Sequence, residues 1–280
     1  MTKPLILGAV AYDPKVVTIW DGFKDYFAQN GLAFDYILFS NYEQQVRSHF
    51  DGHCHVAWNS PLAWIEAERL AAQHGRTAKA IAMRDSDRDL TSVIVTKRSS
   101  GITKIADLRG KRIAVGAKDS PQATLIPLEL IAEAGLSPSD FELIYFNIDE
   151  GKHGDHIGGE RAAAKALMAG KVDACCILDA NRLAFAHDAT LPQASTSIIA
   201  ETAPFDHCNF TIFDDAPRAQ VEHFVEILLA MSYTDPAVRP LLDMEGLKKW
   251  LPGRVSGYSA LNAAVDRFDF LQKFLSATVT

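Results

Sequence analysis

Two short stretches of this 280-residue chain gather side chains whose types and spacing could do chemistry. The first is Asp119-Ser-Pro-Gln-Ala-Thr124. Asp119 or Ser120 can cap a helix, and Pro121 suits the first helical position because its missing N–H costs nothing there. The N–H groups of Gln122, Ala123 and Thr124 would then point out of the helix end, where the positive end of the macrodipole favours an oxyanion. The alternative is a capped surface helix that holds nothing. The second stretch, Asn147 to Glu160, places His153, Asp155, His156 and Glu160 within eight residues, with three glycines among them. Imidazole nitrogen and carboxylate oxygen suit zinc, iron or manganese, and His207, in Phe205-Asp-His-Cys-Asn209, could add a ligand. H-x-x-H-x-x-x-E carries no fixed mechanism, unlike H-E-x-x-H. The same histidines also read as hydrogen-bond donors or cations toward an acidic ligand, or as parts of a solvated loop.

The elements that must position these residues alternate short apolar runs with amphipathic helices, which predicts an α/β architecture. Strand Leu5–Ala11 leads to Tyr12-Asp13-Pro14 and a helix from Lys15 to Asn30, and strand Ala33–Phe39 leads to a capped helix carrying Val46 and Phe50. Val56-Ala-Trp leads to Asn59-Ser60-Pro61 and a helix from Leu62 to Gln73. Lys111–Val115 enters the candidate anion turn, whose helix stops at Gly135. Strand Phe141–Phe146 opens into the histidine-rich segment, a helix from Arg161 to Met168 follows, and strand Val172–Leu178 ends at Asp179-Ala180-Asn181. Val221–Tyr233 and Leu261–Leu275 read as amphipathic helices. Tyr12, Asn59, Ser60, Ser120 and Asp179 all occupy turns beyond strand ends, where ligands of open α/β sheets collect.

Composition narrows the function classes. The chain is 48% hydrophobic and 22% charged, with a net charge of −7, which suits two modest domains and argues against nucleic acid or an anionic membrane surface as partner. An anionic ligand must then be held by local dipoles. No window approaches the roughly 18 apolar residues of a membrane span, and the N-terminal apolar run of about seven is too short for a signal-peptide core. The expectation is a cytoplasmic protein as the chain stands, or a periplasmic one whose export signal has been removed. Cys54, Cys175, Cys176 and Cys208 show no framework spacing and read as small buried hydrophobes. On a strand, Cys175 and Cys176 would face opposite sides. No GxSxG, Walker or GxGxxG pattern is present, which counts against acyl transfer, P-loop phosphoryl transfer and dinucleotide chemistry.

Several segments together resemble the phosphonate-binding branch of the ABC-transporter solute-binding proteins. Val56-Ala-Trp-Asn-Ser-Pro-Leu-Ala63 is similar to a strand-to-helix turn of that family, and Ser92-Val-Ile-Val-Thr-Lys97 to its crossing strand. Asp107-Leu-Arg-Gly-Lys-Arg-Ile-Ala-Val115 resembles the start of its second lobe. Asp119-Ser-Pro-Gln-Ala-Thr124 takes the place of its anion-binding turn. The likeness is clearest from about residue 5 to 181 and thin beyond 215. It implies a type II periplasmic-binding fold of two α/β lobes, 1–94 plus 196–280 and 95–195, joined by two crossing strands, with hinge closure over a ligand in the cleft between them. It implies a small anionic solute, an ABC permease as partner, and no cofactor or chemistry. Tyr12, Asn59, Ser60, Ser120, Gln122, Ala123, Thr124, His153, His156, Asp179 and His207 would hold the solute. The rival expectation is a cytoplasmic lyase or decarboxylase on the same fold, with a divalent transition metal on His153, His156, Glu160 and His207 from the opposite lobe. The anion turn here has fewer hydroxyl residues than the family's, which weakens an expectation of phosphonate specificity.

Overall fold

The alternation of strands and helices resolves into two separate sheets in a computed structural model that describes residues 3–155 and 157–276. In chain order the first elements are β1 (Leu5–Val10), α1 (Lys15–Gln29), β2 (Phe34–Phe39), α2 (Tyr42–Phe50), β3 (Val56–Asn59), α3 (Pro61–Gln73) and β4 (Ala78–Arg84). Next come β5 (Ser92–Lys97), β6 (Arg112–Val115), α4 (Ile126–Glu133), β7 (Glu142–Tyr145), α5 (Glu160–Met168), β8 (Ala174–Leu178), α6 (Asp179–His187) and β9 (Thr196–Glu201). The chain ends with β10 (Asn209–Phe213), α7 (Arg218–Ala230), α8 (Arg239–Glu245), β11 (Trp250–Pro252), α9 (Ser259–Arg267) and α10 (Gln272–Ser276).

The first unit comprises residues up to Arg88, Asp206–Ser256 and those from Leu271 on. Its sheet has the order β11-β4-β10-β3-β1-β2. Strand β1 runs parallel to β2 and β3, while β10 pairs antiparallel between β3 and β4. The apolar stripe of α1, Val16, Ile19, Trp20, Phe23 and Phe27, recurs at helical spacing and is buried on the sheet. There it joins Phe34, Trp58, Phe210, Phe224 and Trp250. Each such side chain contributes about 1.5–3 kcal/mol by leaving water.

The second unit comprises Asp89–Phe205 and Gly257–Phe270. Its sheet has the order β7-β6-β8-β5-β9, with β6 parallel to β7 and β8, and β5 antiparallel to β8 and β9. Strand β8 is buried on both faces. Cys175 lies in a core cluster with Ala163, Leu167 and Phe185, and Cys176 in another with Ile113 and Ile131. The boundaries read from the sequence, 94/95 and 195/196, move to 88/89 and 205/206, because β5 and β9 are neighbouring strands of this one sheet. The stretch 257–270 also joins the second unit. It is tied there by Arg267, whose guanidinium grips Glu129 on α4 through Nε–Oε2 at 2.6 Å and Nη2–Oε1 at 2.9 Å. The single helix expected over Leu261–Leu275 therefore breaks into α9 and α10, with Asp269 at φ +50° in the break.

Candidate functional site

In the second unit, β6 is followed by Gly116, where a Cβ would stand 2.8 Å from that of Ala123, so only glycine admits the turn there. Ser120 is the cap: its Oγ accepts from the Ala123 N–H at 3.2 Å. The helix does not open as an α-helix. Thr124 and Leu125 both donate to the Ser120 carbonyl, at 3.2 and 3.0 Å, and Pro121–Leu125 form a wide π-turn before α4. A reason is visible in the sequence. Pro127 has no N–H to return to the Ala123 carbonyl, which takes the Gly116 N–H at 3.2 Å instead. The Thr124 hydroxyl donates to the Ala117 carbonyl at 2.7 Å. Of the three N–H groups expected to face outward, those of Ala123 and Thr124 are thus engaged within the turn, which corrects the open cradle read from the sequence.

The histidine-rich segment folds back over this turn. The Gly151 N–H donates to Asp119 Oδ2 at 2.6 Å, Gln122 Nε2 donates to the Gly154 carbonyl at 2.8 Å, and the Lys118 N–H reaches Asn147 Oδ1 at 3.2 Å. Asp149 and His153 adopt φ of +62° and +54°, the left-handed region that side chains enter at a cost of about 1–2 kcal/mol. The segment is therefore a strap, not a solvated loop. His153 is buried, which pushes its imidazole down to about 3, so it is neutral near pH 7 and the cationic role expected for it is corrected. Burial pushes Asp119 up to about 6, against the N–H bonds of Gly151 and His153. His156 lies outside the described residues.

Glu160, the first residue of α5, is fully buried. Its Oε2 accepts from the Leu178 N–H at 2.8 Å and Asn181 Nδ2 at 3.0 Å, and the Gln122 side chain also reaches the carboxyl. Burial overrides these bonds and pushes it up to about 8. Glu160 thus pins the end of β8 rather than presenting a carboxylate to a metal. Asp179, next to that end, opens α6, and its Oδ1 accepts from Arg182 Nε at 2.6 Å.

In the first unit the candidates gather at one end of the sheet. Tyr12 follows β1, Asn59 closes β3, Ser60 caps α3, and His207 precedes β10, whose Asn209 is paired with Asn59. Tyr12 is half-buried against the core, with Lys15 Nζ 5.7 Å from its ring centre. Ser60 Oγ accepts from the Ala63 N–H at 3.1 Å. Asn59 is fully buried and spends its amide on structure: Oδ1 accepts from Gln45 Nε2 at 2.7 Å, and Nδ2 donates to Thr211 Oγ1 at 2.9 Å, which donates on to Asn209 Oδ1 at 2.7 Å. Asn59→Ala is expected to cost about 2 kcal/mol in urea unfolding, because Gln45 and Thr211 lose buried partners; a cost below about 0.5 kcal/mol would contradict the network. His207 is buried in the first unit, with its Nδ1 3.5 Å from Asp87 Oδ1. Sequence reading missed Asp119 as the strap's anchor, together with Gln45, Arg84 and Asp87. A groove of about 680 Å³ in the first unit, walled by Ile81, Phe213, Val221 and Val225, is lined by none of the candidates.

The fold is that of the type II periplasmic binding proteins. PhnD1 from Prochlorococcus marinus, solved with methylphosphonate, matches with a TM-score of 0.71 at 16% identity, over 95% of this chain and 98% of that one. XAC2383 from Xanthomonas citri, bound to ATP, matches with a TM-score of 0.70 at 17% identity, over 96% and 98%. The sulfonate-binding protein SsuA from Methylobacillus flagellatus matches with a TM-score of 0.62 at 15% identity, over 97% and 87%. No helix among the described residues is long and apolar enough to cross a membrane. The enzyme alternative finds no support in these relatives. A family profile described as the periplasmic substrate-binding protein of phosphonate ABC transporters matches residues 9–258, so the likeness extends well beyond residue 215, and the chain belongs to that family.

Proposed function

We propose that this protein captures a small solute by its tetrahedral oxyanion group, of the phosphonate or sulfonate type, and delivers it to an ABC permease from the periplasm. The observation that carries this reading is the Ser120–Thr124 turn, set at a helix start beside a neutral His153 and a Glu160 whose carboxyl is pushed up to about 8. Near pH 7 neither side chain opposes an anion by charge, and the helix dipole, the Gln122 N–H and the Ser120 hydroxyl proton favour one. Ser120 and Gln122 are the residues assigned to the oxyanion, and Asn59 and Thr124 support the framework through their buried hydrogen bonds. The reading calls for no cofactor in the capture step.

Titration calorimetry with methylphosphonate, ethanesulfonate and inorganic phosphate tests it. At least one of these is expected to bind the wild type, and Ser120→Ala is expected to weaken it about tenfold while lowering stability by about 1 kcal/mol, the usual cost of a lost N-cap. Absence of heat with all three, or equal affinity in the variant, would remove the turn as the anchor.

A further inference from the structure

We propose that Asp87, His207 and Cys208 form a buried site for one divalent transition-metal ion of the zinc class, distinct from the oxyanion turn. One ligand atom from each residue lies within 4.8 Å of the others, and all three side chains are buried. His207 Nδ1 stands 3.1 Å from Cys208 Sγ and 3.5 Å from Asp87 Oδ1. Tetrahedral zinc, with bonds of about 2.0–2.3 Å, needs its ligand atoms about 3.3–3.7 Å apart, so His207 stands close to the required distance from both Cys208 and Asp87. The His207 N–H donates to the Asp87 carbonyl at 2.7 Å, which fixes the two segments side by side.

Charge gives a second, independent reason. Asp87 is held by Arg84, with Nε–Oδ2 at 2.5 Å and Nη2–Oδ1 at 2.9 Å, and Arg84 Nη1 also meets Glu245 Oε1 at 3.2 Å. One guanidinium thus faces two carboxylates where almost no water reaches, a setting that favours added positive charge. A divalent ion that binds as Cys208 loses its proton to solvent adds one net positive charge beside these carboxylates. The Arg84 fork occupies one lone pair on each Asp87 oxygen, and His207, which also bonds the Asp87 carboxylate, would turn its ring nitrogen from that oxygen to the metal. Imidazole, carboxylate and thiolate together suit zinc or cobalt and are poor for magnesium or calcium.

The test uses the full chain, stripped with chelator and then titrated with zinc by calorimetry and with cobalt by absorption. One equivalent of zinc is expected, and cobalt is expected to give the near-ultraviolet thiolate charge-transfer band. Cys208→Ser should abolish that band and weaken zinc at least tenfold, with His207→Gln weakening it similarly, while His153→Ala leaves both signals unchanged. No zinc uptake at micromolar concentration, or cobalt bound by the wild type without the band, would overturn the site. The wild-type spectrum decides even where a variant fails to fold.

Discussion

Glu160→Gln is expected to stabilise the protein by about 2–4 kcal/mol at pH 9 and to change little at pH 4.5, as read by urea unfolding across that range. Burial pushes the Glu160 carboxyl up to about 8, against about 4.5 for an ordinary glutamate. Between those values the folded chain holds a proton that the unfolded chain has released. Unfolding free energy therefore falls as pH rises from about 4.5 to about 8 and levels off above, each unit of difference contributing about 1.4 kcal/mol. Glutamine keeps an oxygen for the Leu178 and Asn181 donors and has nothing to ionise. Glu160 Oε1 itself is buried without a hydrogen-bond partner among the described residues, so ionising the group leaves charge on an unsatisfied oxygen. A wild type whose stability is flat from pH 5 to 9 would refute the assignment.

Gly154→Ala is expected to cost about 2–3 kcal/mol and to loosen the strap. The position has φ +61°, and a Cβ there would stand 2.7 Å from both Cβ and Oγ of Ser120. Left-handed backbone costs alanine about 1–2 kcal/mol, and the collision adds to it because Ser120 is held by the Ala123 N–H. Relief comes by lifting the strap, which breaks the Gln122–Gly154 bond. Hydrogen exchange at Gly151 and in the Ser120–Thr124 turn should accelerate at least tenfold, and oxyanion affinity should change with it. Unaltered protection at those amides would show that the strap does not depend on this close approach.

Much of the fold was legible because its signals are local. Ser120-Pro121 and Ser60-Pro61 announce helix starts within two residues, and the apolar runs of β1, β6 and β8 stand between turn residues. Strand β4 was not visible: Ala78-Lys-Ala-Ile-Ala-Met-Arg84 has one β-branched residue and becomes a strand through its pairing with β10 and β11. The break between α9 and α10 carries no glycine or proline to mark it. The site was legible in its residue types but not in their employment. Asn59 looked available because its partners lie 14 and 152 residues away, and the bonds that bring Gly151 and Gly154 onto the turn span 32.

Strand β10 sits between β3 and β4, and Trp250 on β11 completes the core beneath them. As the ribosome works from the N-terminus, the earliest-made sheet must wait for more than half the polypeptide before its middle can be zipped. Asp89–Phe205 emerges in one piece and carries all five strands of its own sheet, lacking only the stretch with α9. The first sheet accordingly has all six of its strands only once the chain has been made through Pro252.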